Sequence, residues 1–161
     1  MEADRMSNID VRQAVLSDLD ELVVLFGQYR EFQGQAGDLP AARGFLQARF
    51  NHGDSVVFIA RETHASIGFA QLYPSYSSVS LARVFVLNDL FVQESARRNG
   101  VASRLLAAVE AYAWSLGAVR VTLNVARSNR DGQALYEAKG WRQDEQFHMY
   151  HRHHVLEGER T

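Results

Sequence analysis

The strongest constraint on the fold is the stretch from Val84 to Leu116, where an apolar run passes through a short polar loop into an amphipathic helix. Val84-Phe-Val-Leu-Asn-Asp-Leu-Phe-Val is apolar on both faces, the pattern of a strand buried in the middle of a sheet. The polar segment Gln93–Asn99 then leads to Gly100. From there Val101, Leu105, Ala108, Val109, Tyr112 and Leu116 recur at helical spacing, and Gly117 supplies the stop.

The remaining elements arrange themselves around this unit. Ile9–Val11 with Arg12 and Gln13 alternates like a first strand. Ser17, with Asp20 three residues on, predicts a helix start carrying Leu19, Leu22, Val23 and Phe26 on one face. A second helix is predicted from Asp38 and Pro40, with Ala42, Phe45, Leu46 and Phe50 as its apolar face. Val56–Ala60, Ile67–Tyr73 and Arg83–Val92 read as strands, the first two joined as a hairpin through the polar segment 61–66. Val119–Val125 reads as a strand, Asp131–Lys139 as a short helix and Trp141–Tyr150 as a last strand. Consecutive strands followed by a strand–helix–strand unit predict an α/β fold, a mixed sheet with helices on both faces. Residues 1–161 are expected to form a single domain, because no linker, repeat or low-complexity tract interrupts them.

Composition excludes several function classes. The chain has no cysteine, so no disulfide, zinc thiolate or cysteinyl acyl-enzyme is available. A formal charge of −2 provides no general field for nucleic acid. No apolar run approaches the ~20 residues that span a bilayer, and the first ten residues are polar and acidic without a signal-peptide core. A cytoplasmic location without membrane partners is the expectation. His148, His151, His153 and His154 lack metal-ligand spacing, so no metal is expected there.

The loop itself has a chemical logic. The first turn of a helix leaves N–H groups without intrahelical partners, and the helix dipole adds positive character. Gly100 and Ala102 leave room for an anion, while Arg97 and Arg98 add charge and forked donors. The same residues also fit a glycine-started turn with solvated arginines. A G-x-x-x-x-G-K-[ST] phosphate loop and a G-x-G-x-x-G fingerprint after a strand are both absent.

Arg97-Arg98-Asn99-Gly100-Val101-Ala102 resembles the acyl-CoA signature of the GNAT N-acetyltransferase superfamily, Gln/Arg-x-x-Gly-x-Gly/Ala. Asn129, followed by Ala134-Leu135-Tyr136 and Gly140-Trp141, resembles that superfamily's downstream Asn and Tyr positions. The resemblance implies a GNAT fold with a central, mostly antiparallel sheet, and acetyl-CoA as co-substrate. It implies pyrophosphate binding by N–H groups of Arg98, Asn99, Gly100, Val101, Ala102 and Ser103. Leu90, Phe91 and Val92 would hydrogen-bond the pantetheine arm, and Asn129 would hold the cofactor near its pantetheine end.

The implied reaction is direct attack of an amine on the acetyl carbonyl. Tyr136 matches the tyrosine that protonates the departing thiolate; packing of its ring between helix and sheet is the alternative role. Asn88 and Asp89 interrupt an apolar strand, and buried polar groups are costly unless bonded or used. Strict alternation sends these two side chains to opposite faces unless a bulge re-aims the strand. Many diamine acetyltransferases have glutamate where Asn88 stands, so Asp89, or a water held by Asn88 or Asp89, is the candidate base. Asp89 would otherwise fix a neighbouring loop.

A looser resemblance to histone/polyamine-type and diamine acetyltransferases implies an acceptor site walled by the first helices, with Tyr29, Phe32, Tyr73 and Tyr76 as lining. The acidic residues Asp18, Asp20, Glu21 and Glu31 either attract a cation or form a solvated face. The expected acceptor is a small-molecule primary amine, with a protein amine as a further option. A homodimer is implied, served by the late apolar segment with Phe147 and Tyr150. The alternative from another class is a non-catalytic acyl-CoA sensor of the same fold.

Overall fold

A computed structural model describes residues 8–154. The first seven residues of the polar N-terminal stretch lie outside the described residues. Two units are distinguished, residues 1–126 and 127–161.

The larger unit is built on a five-stranded sheet in chain order, β1 to β5. β1 is Ile9–Gln13, β2 Val56–Glu62, β3 Ala65–Ser77, β4 Ala82–Val92 and β5 Val121–Thr122. The first four strands pair antiparallel, and β5 joins β4 in parallel. Helices α1 (Leu19–Phe32) and α2 (Leu39–His52) connect β1 to β2, and α3 (Val101–Ser115) follows β4.

Alternation along β2 assigns each face its helix. Val57 and Ile59 join Leu22, Leu25 and Phe26 of α1 and Leu46 of α2 in one core. Phe58, between them, meets Tyr112 of α3 edge-on at 5.6 Å. The mixed sheet flanked by helices on both faces is therefore formed as the pattern predicts.

β4 changes allegiance along its length. Phe85 packs on Tyr112 of α3, whereas Phe91 belongs to the α1 core. Leu87 pairs with Leu72 and Asp89 with Gln71, leaving Asn88 as an extra residue. This bulge reverses the phase of alternation, and everything after it on β4 presents the opposite face. Close strand packing follows beyond it: Gly68 pairs with Val92, and a Cβ on Gly68 would lie 2.8 Å from the Phe91 carbonyl oxygen.

Local starts and stops depart from expectation in places. Residues Leu16–Asp18 form a 3-10 turn before α1. The carboxylate there is Asp18, which accepts the Val15 N–H at 2.8 Å and two Arg12 guanidinium bonds, also at 2.8 Å. The expected Ser17–Asp20 box is not formed, because Asp18 satisfies the entering backbone instead. Asp38 caps α2 by accepting from Ala41 N. The strand predicted over Val119–Val125 shortens to Val121–Thr122, paired with Phe85 and Val86.

In the smaller unit, α4 (Arg130–Ala138) is capped by Asn129, whose Oδ1 accepts from Gly132 N at 3.0 Å. The strand predicted over Trp141–Tyr150 is absent. Asp144 accepts from the N–H groups of Gln146 and Phe147, and this side-chain turn diverts the backbone donors a ladder requires.

Candidate functional site

The open side of β4 frames the site. Its pairing with β5 covers only Phe85 and Val86, so among the described residues no strand lies on that side of Leu87–Val92. This stretch contains Leu90, Phe91 and Val92. An extended ligand can hydrogen-bond such an edge as an additional strand would.

The loop that follows is held in a defined shape. Arg98 has φ +64° and Gly100 φ +75°, two left-handed residues with only Asn99 between them. The strain at Arg98 has no glycine to relieve it. Gly100 is the N-cap of α3 and contributes no side-chain cap. The first-turn N–H groups of Val101, Ala102 and Ser103 thus remain for a ligand, a chemistry that fits a pyrophosphate. Asn99 braces the turn by donating to Ala96 O at 3.3 Å.

Arg97 is anchored inward. Its Nε donates to Val92 O at 2.9 Å, and its guanidinium lies over Phe32 at 5.1 Å and Phe91 at 5.6 Å. These contacts join the loop to the end of α1 by hydrogen bonding and cation–π attraction. They border a cleft of about 840 Å³ lined by Gln28, Glu31, Phe32, Gln93, Glu94 and Arg97, among others. Gln28, Gln93 and Glu94 carry no motif and were not singled out by the sequence pattern; only tertiary proximity reveals them.

The Asn88 bulge brings two neighbouring side chains together. Asn88 Nδ2 donates to Asp89 Oδ1 at 3.0 Å, and Gln71 Nε2 donates to Asp89 Oδ2 at 2.7 Å. Tyr29 adds a hydrogen bond to the Asp89 carboxylate, and its hydroxyl lies 3.5 Å from Asn88 O. Asp89 is only 4% exposed. Burial pushes its carboxyl above the ordinary range, against the pull of bonds from Gln71, Tyr29 and Asn88. Gln71 is the residue sequence reasoning missed; the signal was a lone amide inside the apolar run Ile67–Tyr73.

The predicted acceptor-lining aromatics separate. Tyr29 sits edge-on to Phe69 and Phe91, next to Asn88 and Asp89. Phe32 stands at the cleft, half exposed. Tyr73 is pushed up to about 12, first by burial and then by the negative field of Asp89, with Arg49 opposing and Asp54 reinforcing. Tyr76 lies elsewhere: it pairs with Arg83, whose guanidinium covers its ring at 5.3 Å. It is five positions beyond Gln71 on β3, roughly 17 Å along the strand.

The acidic residues of the first helical region have partners. Asp18 pairs with Arg12, Asp20 with Arg43 and Glu21 with Arg61 and Ser66. Glu31 is the one that lines the cleft.

Asn129 and Tyr136 belong to the smaller unit. Asn129 caps α4 and packs tightly over Gly132. Tyr136 contacts the Trp141 ring at 5.9 Å, and burial raises its phenol above the ordinary value. Phe147 and Tyr150 are exposed, and the His151 and His153 rings lie 6.0 Å apart. Among the described residues no three His, Cys, Asp or Glu side chains form a metal-binding group, and no helix is long and apolar enough to cross a membrane.

Comparisons with known proteins identify the family and the fold. The model of the acetyltransferase (GNAT) family matches residues 19–141. An uncharacterized N-acetyltransferase, YhfO of Bacillus subtilis (strain 168), is 46% identical over 142 residues, covering 88% of this chain and 95% of the relative. A crystal structure of a probable acetyltransferase superposes with a TM-score of 0.86 at 39% identity, over 92% of this chain and 99% of that one. The aminoglycoside N-acetyltransferase AAC(6')-Iy, solved with CoA, superposes with a TM-score of 0.74 at 25% identity, over 89% of this chain and 94% of that one. With the family model spanning residues 19–141 and a relative 46% identical along most of both chains, the chain belongs to the GNAT family of acetyl-CoA-dependent acetyltransferases.

Proposed function

We propose that the chain acetylates a primary amine of a small molecule by direct attack, with Asp89 as the base and Tyr136 as the acid. The observation that carries this proposal is the buried Asp89 carboxyl, raised by burial and held by three side chains beside the open edge of β4. A base whose pKa rises toward the working pH accepts a proton more readily than an ordinary carboxylate.

Bound acetyl-CoA supplies the activated acyl group. The uncapped N–H groups from Arg98 to Ser103 hold its pyrophosphate, and the backbone of Leu90, Phe91 and Val92 hydrogen-bonds its pantetheine arm. Arg97 fixes the loop from inside, and Asn129 supports the cofactor near its pantetheine end. Asp89 takes the amine proton, directly or through a water shared with Asn88. Tyr136, whose phenol is raised by burial and so remains protonated, donates to the departing sulfur. Tyr29 and Phe32 line the acceptor side, with Tyr73 at its edge within the field of Asp89.

A small-molecule acceptor is supported by AAC(6')-Iy, an aminoglycoside acetyltransferase of the same fold. The family model runs across residues 126 and 127, which supports 1–161 as one functional domain. The resemblance to diamine acetyltransferases supports a homodimer, and the composition supports a cytoplasmic location.

The test is release of free thiol from acetyl-CoA in the presence of polyamines, amino acids, aminoglycosides and peptides. Release with one class of small amine supports the assignment. Tight acetyl-CoA binding without thiol release on any amine would overturn it in favour of a sensor.

A further inference from the structure

Gln71 is fully buried, at 0% exposure, in the centre of the sheet. Its Nε2 is used, donating to Asp89 Oδ2 at 2.7 Å. Its Oε1 is buried and has no hydrogen-bond partner. An orphaned buried carbonyl costs ~1–3 kcal/mol, and native interiors rarely keep one without a reason. An apolar side chain would fit this strand without that cost, so the amide demands an account.

The account lies in what Asp89 needs. An ionised carboxylate only accepts hydrogen bonds, whereas a carboxylic acid must also donate one. Asn88 Nδ2 is a donor only, and serves the ionised form. A side-chain amide carries donor and acceptor on one planar group, and half a turn about its last torsion exchanges them.

We propose that Gln71 is a positioning residue that hydrogen-bonds Asp89 in both protonation states, Nε2 donating to the carboxylate and Oε1 accepting from the acid. When Asp89 takes a proton from the attacking amine, the O–H forms on the oxygen facing Gln71 and points to Oε1. When that proton passes to solvent, the amide turns back. No bond other than N–H and O–H changes, and the proton is accounted for at each stage. The orphaned oxygen of the ionised state is the acceptor held in reserve for the other. The inference rests on Asp89 being the base.

The surroundings leave this exchange to Asp89. Tyr29 from α1 and Tyr73 from β3 are the titratable groups facing it, and Tyr73 stays protonated with its phenol at about 12. Arg49 of α2 and Asp54 act on Tyr73 with opposite signs.

The experiment follows side-chain NMR signals of the full chain across pH, with the Gln71 amide assigned by its loss in Gln71→Met. The Gln71 amide and the Asp89 carboxyl carbon are expected to move with one shared midpoint, and the Gln71 movement should vanish in Asp89→Asn. Because the charge-assisted bond to the carboxylate is the stronger of the two, Gln71→Met is expected to shift the acidic limb of kcat/KM upward, lowering it severalfold at acidic pH and restoring it at alkaline pH, with KM for acetyl-CoA unchanged. A Gln71 amide that stays still while Asp89 titrates would overturn the proposal, as would an unmoved Asp89 midpoint in Gln71→Met. Should the two share a midpoint that is missing from the pH–rate profile, the pairing stands and Asp89 is not the base.

Discussion

Asn88 and Asp89 are neighbours in a strand, yet the side-chain amide of one donates to the carboxylate of the other at 3.0 Å. Regular alternation would send them to opposite faces of the sheet. The contact exists because Asn88 is the unpaired residue of a bulge, between the Leu87–Leu72 and Asp89–Gln71 pairs. The bulge turns Asp89 onto the face of α1, where Tyr29 reaches it.

Asp89→Asn keeps the size of the side chain and removes its basicity. Turnover should fall ~100-fold or more, in the range that general-base catalysis supplies, while acetyl-CoA affinity stays near wild type. Steady-state kinetics beside a binding titration checks this. Unchanged turnover would remove Asp89 from the proton path.

Tyr136→Phe removes one hydroxyl and keeps the ring against Trp141. The expected outcome is a fall in kcat with little change in the melting temperature or in acetyl-CoA binding. If the residue only packs, kcat will not move.

Gly100→Glu places a negative charge and a Cβ at the N-cap of α3, where φ is +75°. The left-handed conformation costs a non-glycine residue ~1 kcal/mol, and the charge opposes an anionic ligand. Acetyl-CoA affinity should drop at least tenfold by calorimetry, with Gly100→Ala as the control for the backbone contribution alone. Undiminished binding in the glutamate variant would sink the pyrophosphate assignment.

Two buried carboxylates predict opposite pH dependences of stability. Asp89 has a folded-state pKa raised by burial, so its contribution is full below the ordinary carboxylate value of 3.8 and is lost as pH rises through the raised value. Asp18 is lowered, first by its hydrogen bonds from Arg12. Its contribution is present above 3.8 and is lost as pH falls through the lowered value. Thermal melts across pH should therefore show a declining limb that flattens in Asp89→Asn and an acid limb that flattens in Asp18→Asn. A melting profile identical in shape for all three proteins would contradict both assignments.

Arg12→Ala removes both guanidinium bonds and leaves the Asp18 carboxylate with the Val15 N–H. A loss of about 1–2 kcal/mol is expected at neutral pH, toward the low end for bonds to charged groups because Arg12 is partly solvated. The loss should shrink in acid, where Asp18 is neutral; chemical denaturation at two pH values measures it. A difference that does not depend on pH would assign it to packing instead.

Much of the fold was legible because burial is periodic. Phe58, Phe85 and Tyr112 meet between sheet and helix, as alternation on strands and heptad-like spacing on α3 require. Trp141–Tyr150 misled for the opposite reason. An alternating pattern describes a strand's faces but supplies no partner, and the Asp144 turn takes the backbone N–H groups of Gln146 and Phe147. The acidic residues of the first helical region were ambiguous for a similar cause, since Arg12, Arg43 and Arg61 come from other parts of the chain.

The sequence by itself determined the strand–loop–helix around Gly100, because a buried apolar strand, a left-handed glycine and an amphipathic helix are each specified within a few residues. Those local rules also carried the resemblance in Arg97 through Ala102. Only the tertiary structure decided which side chains meet Asp89. Gln71 stands eighteen positions before it and Tyr29 sixty before it, and a register offset of one residue at Asn88 settles which face they share. Bulge position is a property of paired strands, so no single strand's sequence contains it.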